Sequence, residues 1–424
     1  MTDFKGFYRD QIVIYKEAKM PRKSFLFFTL LLCSFCFYSC SRGGAADNSV
    51  SKPAAESQNE NTAVSADNRF ALNLYKELSG KDANSNIFFS PYSIYSAFGL
   101  LYEGAAGETA RQLENIFGFN PVPAERRAAM NNELSAYQGL TDGYGIAIAN
   151  SVWVNKSFKV FPEFSSALKN YYFAQSFNFI DAGKINSWVN EKTFGRIDRL
   201  VDSSVNNSQV ILANAIYFKA KWASYFKEEF TAKADFFTAG GEKATVDMMH
   251  QENDFPYYEN EKVQVLRMKY KIDNKNMSMT VILPKKNNIS EAEDFLYGNG
   301  LERLSLNELK VLVSFPKFKL DWGSEELLDI IEKMGLANFS PDYSGISKEP
   351  LVISKVIHKA FIEVSEKETE AAAATVGMLK QIIEPAKVKP KIFKADHPFV
   401  YMITDDDNGK ILFLGKMMNP AQSN

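Results

Sequence analysis

The sequence has six histidines and cysteines in all for nucleophilic, acid–base or soft-metal chemistry: His250, His358, His397, Cys33, Cys36 and Cys40. The cysteines all lie in or at the end of one N-terminal apolar stretch, and none follows Cys40. The body therefore has no disulfide framework, zinc–cysteine site or cysteine nucleophile. The histidines are scattered, and no HExxH, GxSxG or glycine-rich GKS/GKT loop accompanies them. A hydrolase would need a nucleophile–base pair, and no motif supplies one. The acidic run Asp405–Asp407 could suggest calcium, but its glycine spacing is not that of an EF-hand loop, and a hairpin turn accounts for it better. The net charge of −2, from 49 basic and 51 acidic residues, leaves no basic footprint for nucleic acid. A 46% apolar composition with only 24% charged residues excludes a disordered polyelectrolyte. The 34 phenylalanines predict a core rich in rings.

The chemistry left to cysteine is attachment. Phe25–Tyr38 is an uncharged apolar run preceded by Arg22 and Lys23, too short to span a bilayer comfortably and fitting a signal-peptide core. It ends in Phe37-Tyr38-Ser39-Cys40, where a small residue directly before a cysteine resembles the lipobox of bacterial lipoproteins; Phe37 stands where leucine is usual. A plain secretory signal cut elsewhere is the alternative. On this reading residues 1–39 are a signal peptide, with Met20 a candidate start, and Cys40 carries lipid. The Ser-, Ala-, Asn- and Gly-rich residues 40–65 form a flexible tether. The expected location is the bacterial cell envelope, in the outer membrane or at the cell surface.

From residue 66 to 424 the chain reads as one globular domain of α+β class. Phe70, Leu72, Leu74, Tyr75 and Leu78 keep near-helical spacing; Pro91 opens a second helix and Gly107-Glu108-Thr109 a third. Ile146–Val154, Val210–Phe218 and Met277–Leu283 read as strands. Phe399–Ile403 and Ile411–Leu414 flank Asp407-Asn408-Gly409, the signature of a primed hairpin turn. Trp153 and Trp188 are expected in the core.

One segment fits no ordinary core. Ile362-Glu363-Val364-Ser365 ends a strand, and Glu366 to Val376 follows as a run of small residues, with Pro385 and Pro390 beyond. Propensity alone would make it a short alanine-rich helix. As a strand it would place Thr369, Ala371, Ala373 and Thr375 on one face, none large or charged, with Glu370, Ala372 and Ala374 on the other. Such a strand could slide into a tight slot between existing strands.

These residues resemble the serpins, and the resemblance covers roughly residues 66–420. It is carried in order by Asn86-Ile87-Phe88-Phe89-Ser90-Pro91-Tyr92-Ser93-Ile94, by Ile185-Asn186-Ser187-Trp188-Val189-Asn190 with Thr193, and by Asn214-Ala215-Ile216-Tyr217-Phe218-Lys219 with Trp222. Phe315-Pro316-Lys317, Lys355-Val356-Ile357-His358-Lys359-Ala360, the hinge from Glu363 to Thr375 and the closing His397-Pro398-Phe399 complete it.

The resemblance implies about nine helices around three β-sheets, with an exposed reactive-centre loop at about 366–392. It implies a monomeric suicide inhibitor rather than an enzyme, without cofactor or metal, whose partner is a serine or else a cysteine protease trapped as an acyl-enzyme. Insertion of a serpin loop as an added strand is a known example of strand addition. The alternative within the family is a non-inhibitory binding or storage protein, which the small hinge residues disfavour. Ser90, Ser93, Asn214 and His358 match the polar cluster beneath the opening sheet, where His358 would be a structural core histidine. Trp222, Lys317 and Glu366 match the region where the loop enters, and a Lys317–Glu366 pair is expected there at the surface, contributing under about 1 kcal/mol. Counting along the loop from Glu366 as in the family puts the scissile bond at Ile382–Ile383, suited to elastase-, subtilisin- or chymotrypsin-like enzymes. Lys380–Gln381 is the alternative for trypsin-like ones. Glu368 stands where inhibitory members usually have glycine, which bears on the rate of insertion.

Overall fold

The structure is a computed structural model that describes residues 66–422, apart from 138, 142–143, 273–274, 299–303, 325–326, 338 and 367–388. Its helices are α1 (Ala66–Lys81), α2 (Pro91–Tyr102), α3 (Gly107–Phe117), α4 (Pro123–Tyr137), α5 (Pro162–Tyr172), α6 (Ala182–Lys192), α7 (Ile289–Tyr297) and α8 (Leu327–Lys333), with three short 3-10 turns. Its strands are β1 (Ile87–Phe89), β2 (Gly139–Thr141), β3 (Tyr144–Val154), β4 (Gln175–Phe177), β5 (Val210–Lys219), β6 (Lys221–Trp222), β7 (Ala232–Phe237) and β8 (Lys243–Glu259). They continue with β9 (Val263–Lys271), β10 (Met277–Pro284), β11 (Asn307–Pro316), β12 (Phe318–Ser324), β13 (Ile353–Val364), β14 (Lys391–Lys394), β15 (Phe399–Asp405) and β16 (Ile411–Met417).

Two assemblies of strands result. A six-stranded sheet runs β12-β13-β5-β3-β2, with β4 also on β3. The larger assembly runs β1-β16-β15-β10-β9-β8-β11-β14, with β6 on β9 and β7 on β8; the 17-residue β8 is long enough to pair with β7, β11 and β9 in turn.

Side-chain alternation assigns the faces of the six-stranded sheet. Along β5, Ile211, Ala213, Ala215 and Tyr217 join Ile185, Trp188 and Val189 of α6 in a small outer cluster, which also holds Trp153 and, from β13, Ile357 and Phe361. The opposite set, Val210, Leu212, Ile216 and Phe218, enters the main core with Phe88, Leu100, Leu101 and Phe413. Trp153 and Trp188 pack edge to face at 6.3 Å, which makes them core residues as expected.

α2 begins as its residues dictate: Pro91 sits at the first turn, and the Ser90 hydroxyl caps the Ser93 N–H at 3.0 Å. The helix is buried on nearly every side, in keeping with its apolar composition. The β15–β16 connection departs from the expected primed turn. Only Gly409 there has positive φ, at +71°, whereas a type I′ turn needs positive φ at both central residues. Side chains close the longer loop instead: Asp405 accepts from the Asp407 N–H at 3.0 Å and from Asn408 Nδ2 at 2.9 Å, and Tyr137 donates to it at 2.7 Å. Among the described residues no group of three or more His, Cys, Asp or Glu is placed to hold a metal. None of the described helices is long and apolar enough to cross a membrane.

Candidate functional site

At the centre of the six-stranded sheet two neighbouring strands run parallel along one seam, as β3 and the short β4 do at its edge. β13 pairs with β5 in parallel, from Ile353 opposite Val210 to Ile362 opposite Phe218, while β5 pairs with β3 and β13 with β12 antiparallel. The chain leaving β13 at Val364 can therefore turn back and run antiparallel to both strands, and a strand laid between β5 and β13 would satisfy two antiparallel ladders at once.

A polar row crosses this seam. Asn150, Asn214 and His358 are direct neighbours on β3, β5 and β13. Their positions share the parity of the main-core residues, so all three point inward toward the start of α2. Asn214 donates to Ser93 Oγ at 2.6 Å and to Asn150 Oδ1, while Asn150 donates to Ser96 Oγ at 2.9 Å. The Ser90 N–H donates to His358 Nε2 at 3.2 Å, and Ser90 Oγ donates to the Leu412 carbonyl at 2.7 Å. Because Nε2 accepts, the His358 proton resides on Nδ1 and is donated to Asn214 Oδ1. Burial favours this neutral form and pushes the imidazole pKa down to about 3. The row thus ties both strands of the seam to one helix terminus, with its donors and acceptors matched in a fully buried place.

At the end of the seam where β13 finishes, the departing chain is pinned. Trp222 Nε1 donates to the Ser365 carbonyl at 3.1 Å, and its indole stacks on Tyr270 at 4.5 Å between centroids. Glu366 receives Lys317 on one oxygen at 2.7 Å and the Thr231 hydroxyl on the other at 2.6 Å. Burial alone would raise its pKa, but the hydrogen bonds from Lys317 and Thr231 prevail and hold it below the ordinary glutamate value. The Lys317–Glu366 pair is not the surface pair expected from sequence. Glu366 is 3% exposed, with Lys317 and Thr231 closed around its carboxylate.

The structure thus brings Ser90, Ser93, Asn214 and His358 into one cluster, and Trp222, Lys317 and Glu366 into another. Thr369, Glu370, Ala371, Ala372, Ala373, Ala374, Thr375, Lys380, Gln381, Ile382 and Ile383 lie outside the described residues, as do Cys40, the signal segment and the residues of the tether before position 66. Sequence reasoning missed Asn150, Ser96 and Thr231. Asn150 interrupts the apolar run Ile146–Val154, and an amide within a central strand is the signal that could have singled it out. His250 and His397 sit on other elements. His250 Nδ1 meets Ser314 Oγ at 2.9 Å, and its other nitrogen has no carboxylate among the described residues, so the contact lacks the third member of a hydrolytic triad. His397 bridges Asp396 and the Pro284 carbonyl.

Eight helices packed with a six-stranded sheet and a larger strand assembly define an α+β protein among the described residues. The chain is a member of the serpin family: the model described as Serpin (serine protease inhibitor) matches residues 65–420. An uncharacterized serpin-like protein of Thermococcus kodakarensis is 37% identical over 378 residues, covering 85% of this chain and 86% of the relative. The leukocyte elastase inhibitor of Homo sapiens is 34% identical over 386 residues, covering 84% of this chain and 99% of the relative. Among solved structures, Serpin48, described as a highly specific serpin of the insect Tenebrio molitor, superposes with a TM-score of 0.71 at 31% identity, covering 84% of this chain and 97% of that one. The family is in general one of protease inhibitors rather than enzymes.

Proposed function

We propose that the protein is an inhibitory serpin that traps a serine protease, or alternatively a cysteine protease, as an acyl-enzyme. The protease nucleophile attacks the carbonyl of Ile382, the Ile382–Ile383 bond breaks, and the amine of Ile383 leaves with the proton carried by the protease's base. The released hinge, Thr369 to Thr375 first, then inserts between β5 and β13 and drags the acylated protease with it. The observation that carries this reading is the parallel β5–β13 seam beside the pinned exit at Ser365 and Glu366.

The energetics favour it. β5 is 10 residues long, and roughly ten new ladder hydrogen bonds at about 0.5–1.5 kcal/mol net each give on the order of 10 kcal/mol. Misplacing one oxyanion-hole donor in the trapped protease already slows deacylation by about 10²–10³. Insertion must outrun deacylation, so the uncut fold has to be held kinetically. The inhibitor acts as a monomer, tethered by lipid on Cys40 to a bacterial envelope.

Incubation with elastase-, subtilisin-, chymotrypsin- and trypsin-type enzymes tests the reading. An SDS-stable complex is expected with at least one, with mass spectrometry placing the new amino terminus at Ile383. Cleavage by all of them without any such complex would favour a non-inhibitory role.

A further inference from the structure

β14 is only four residues long and pairs with β11 alone among the described strands, so side chains add to its attachment. Lys391 Nζ reaches Glu259 at 2.7 Å, and Gln264 Nε2 donates to the Ile392 carbonyl at 2.8 Å. Beyond it the chain turns through Ala395 and Asp396 into β15. The Ala395 N–H donates to the Ser314 carbonyl at 2.9 Å, and the Phe237 N–H donates to the Asp396 carbonyl at 2.8 Å. His397 stands at this corner, 15% exposed, with both ring nitrogens engaged.

Both of its partners are acceptors. Nδ1 lies 2.9 Å from Asp396 Oδ1, and Nε2 lies 2.7 Å from the Pro284 carbonyl oxygen. A neutral imidazole carries one N–H, so it can donate to one of them and must turn a lone pair on the other. Only the imidazolium satisfies both. The strand register explains why Pro284 takes a side-chain donor. β10 and β15 are antiparallel with Ile282 opposite Val400, and the same register continued sets Pro284 opposite Pro398. Proline has no N–H, so β15 offers no backbone donor directly opposite that carbonyl, and the imidazole supplies one.

The charged groups nearby leave Asp396 as the ring's anionic partner. Burial would raise the Asp396 pKa, but hydrogen bonds from His397 and Lys394 prevail and hold it below the ordinary aspartate value. Lys394 sits on the other Asp396 oxygen at 2.8 Å and is also the charged neighbour of His250 on β8. Lys285, next to Pro284, reaches Glu259 at 2.9 Å, and Asp235 of β7 pairs with Lys243 of β8 at 2.7 Å.

We propose that His397 is a proton-operated clamp on the corner between β14 and β15. Charged, it ties Asp396 to the end of β10 through two hydrogen bonds at once. As the pH rises through the range in which imidazoles titrate, the ring gives up a proton, one of the two bonds is lost and the corner loosens. The clamp is therefore complete on the acid side and weakens toward alkaline pH, opposite in sign to the effect of the buried, neutral His358. Mild acid fixes β14, the first strand after residue 388, and alkaline solution frees it.

The test reads the free protein and needs no protease. The chain has three histidines, so nitrogen-labelled imidazoles can be assigned by elimination from His250→Gln and His358→Gln. At about pH 5.5 the His397 ring is expected with both nitrogens protonated, and at about pH 8 with one. Hydrogen exchange of the β14 amides, corrected for the intrinsic effect of pH and referenced to β16 for global opening, follows the clamp itself. Protection in the parent is expected to fall about tenfold from the lower pH to the higher, the equivalent of about one charge-assisted hydrogen bond. His397→Gln, which does not titrate, should change by less than about twofold over the same interval. Thermal unfolding checks the variant, and the parent spectra decide the protonation if His397→Gln is not folded. A neutral His397 ring at the lower pH overturns the proposal, as does a parent exchange profile as flat as that of His397→Gln.

Discussion

His358 should make the protein acid-sensitive in a window above the carboxylates. In the fold its pKa is about 3 and in the unfolded chain about 6.5, so the unfolded state binds the extra proton throughout the interval between them. The stability linked to the neutral ring is complete above about pH 6.5 and is lost as the pH falls toward 3. Between pH 7 and pH 5 the loss from this residue alone is about 2 kcal/mol, taking about 1.4 kcal/mol per pKa unit. The physical cause is specific. A second proton on His358 would sit on Nε2, against the Ser90 N–H that now donates to it, in a fully buried site. His358→Gln is the informative variant. A glutamine amide can donate to Asn214 Oδ1 and accept from Ser90, yet it does not titrate. Urea unfolding of the parent and His358→Gln, each at pH 7 and pH 5, should show about 2 kcal/mol more acid loss in the parent. His250, whose pKa is lowered by burial and by Lys394, is common to both proteins and cancels in the difference. Equal pH dependence of the two proteins would refute the assignment of a neutral, doubly engaged His358.

Lys317→Met leaves Glu366 buried with Thr231 as its remaining side-chain partner among the described residues; because Lys317 is 35% exposed, the expected loss is about 1–2 kcal/mol in urea unfolding, below that of a fully buried pair. Thr369→Arg places a guanidinium on the inward face of the inserting hinge and should turn inhibitor into substrate, cut at the same bond without trapping, whereas Glu370→Arg on the outward face should still inhibit; the inhibitor-to-protease ratio at complete inhibition reads the difference. Cys40→Ser should abolish labelling by a palmitate analogue and release the protein from membranes, and label retained in that variant would refute lipidation at Cys40.

The sequence by itself determined a good deal of this protein. Repeating apolar spacing made α1, α2 and α3 visible, and predominantly apolar runs with β-branched residues did the same for β3, β5 and β10, because local pattern is a property of the chain alone. The absence of cysteine after Cys40 and of nucleophile motifs narrowed the chemistry, and ordered motifs from Asn86 to Phe399 pointed to the family that comparison with known proteins established. Local pattern stopped at the β15–β16 turn, where Asp407-Asn408-Gly409 suggested a two-residue turn and Asp405 with Tyr137 closed a longer one. Tertiary structure alone decided which way the central strands run and what meets across them. Asn214 lies 64 residues from Asn150 and 144 from His358, and only the registers of β3, β5 and β13 set them in one row facing Ser90, Ser93 and Ser96. The burial of Glu366 was likewise invisible, since a glutamate next to a lysine-rich loop looks solvated until Trp222, Thr231 and Lys317 close around it. Strand direction, register and the desolvation of a charge are set by contacts between distant segments, and no window of sequence contains both partners.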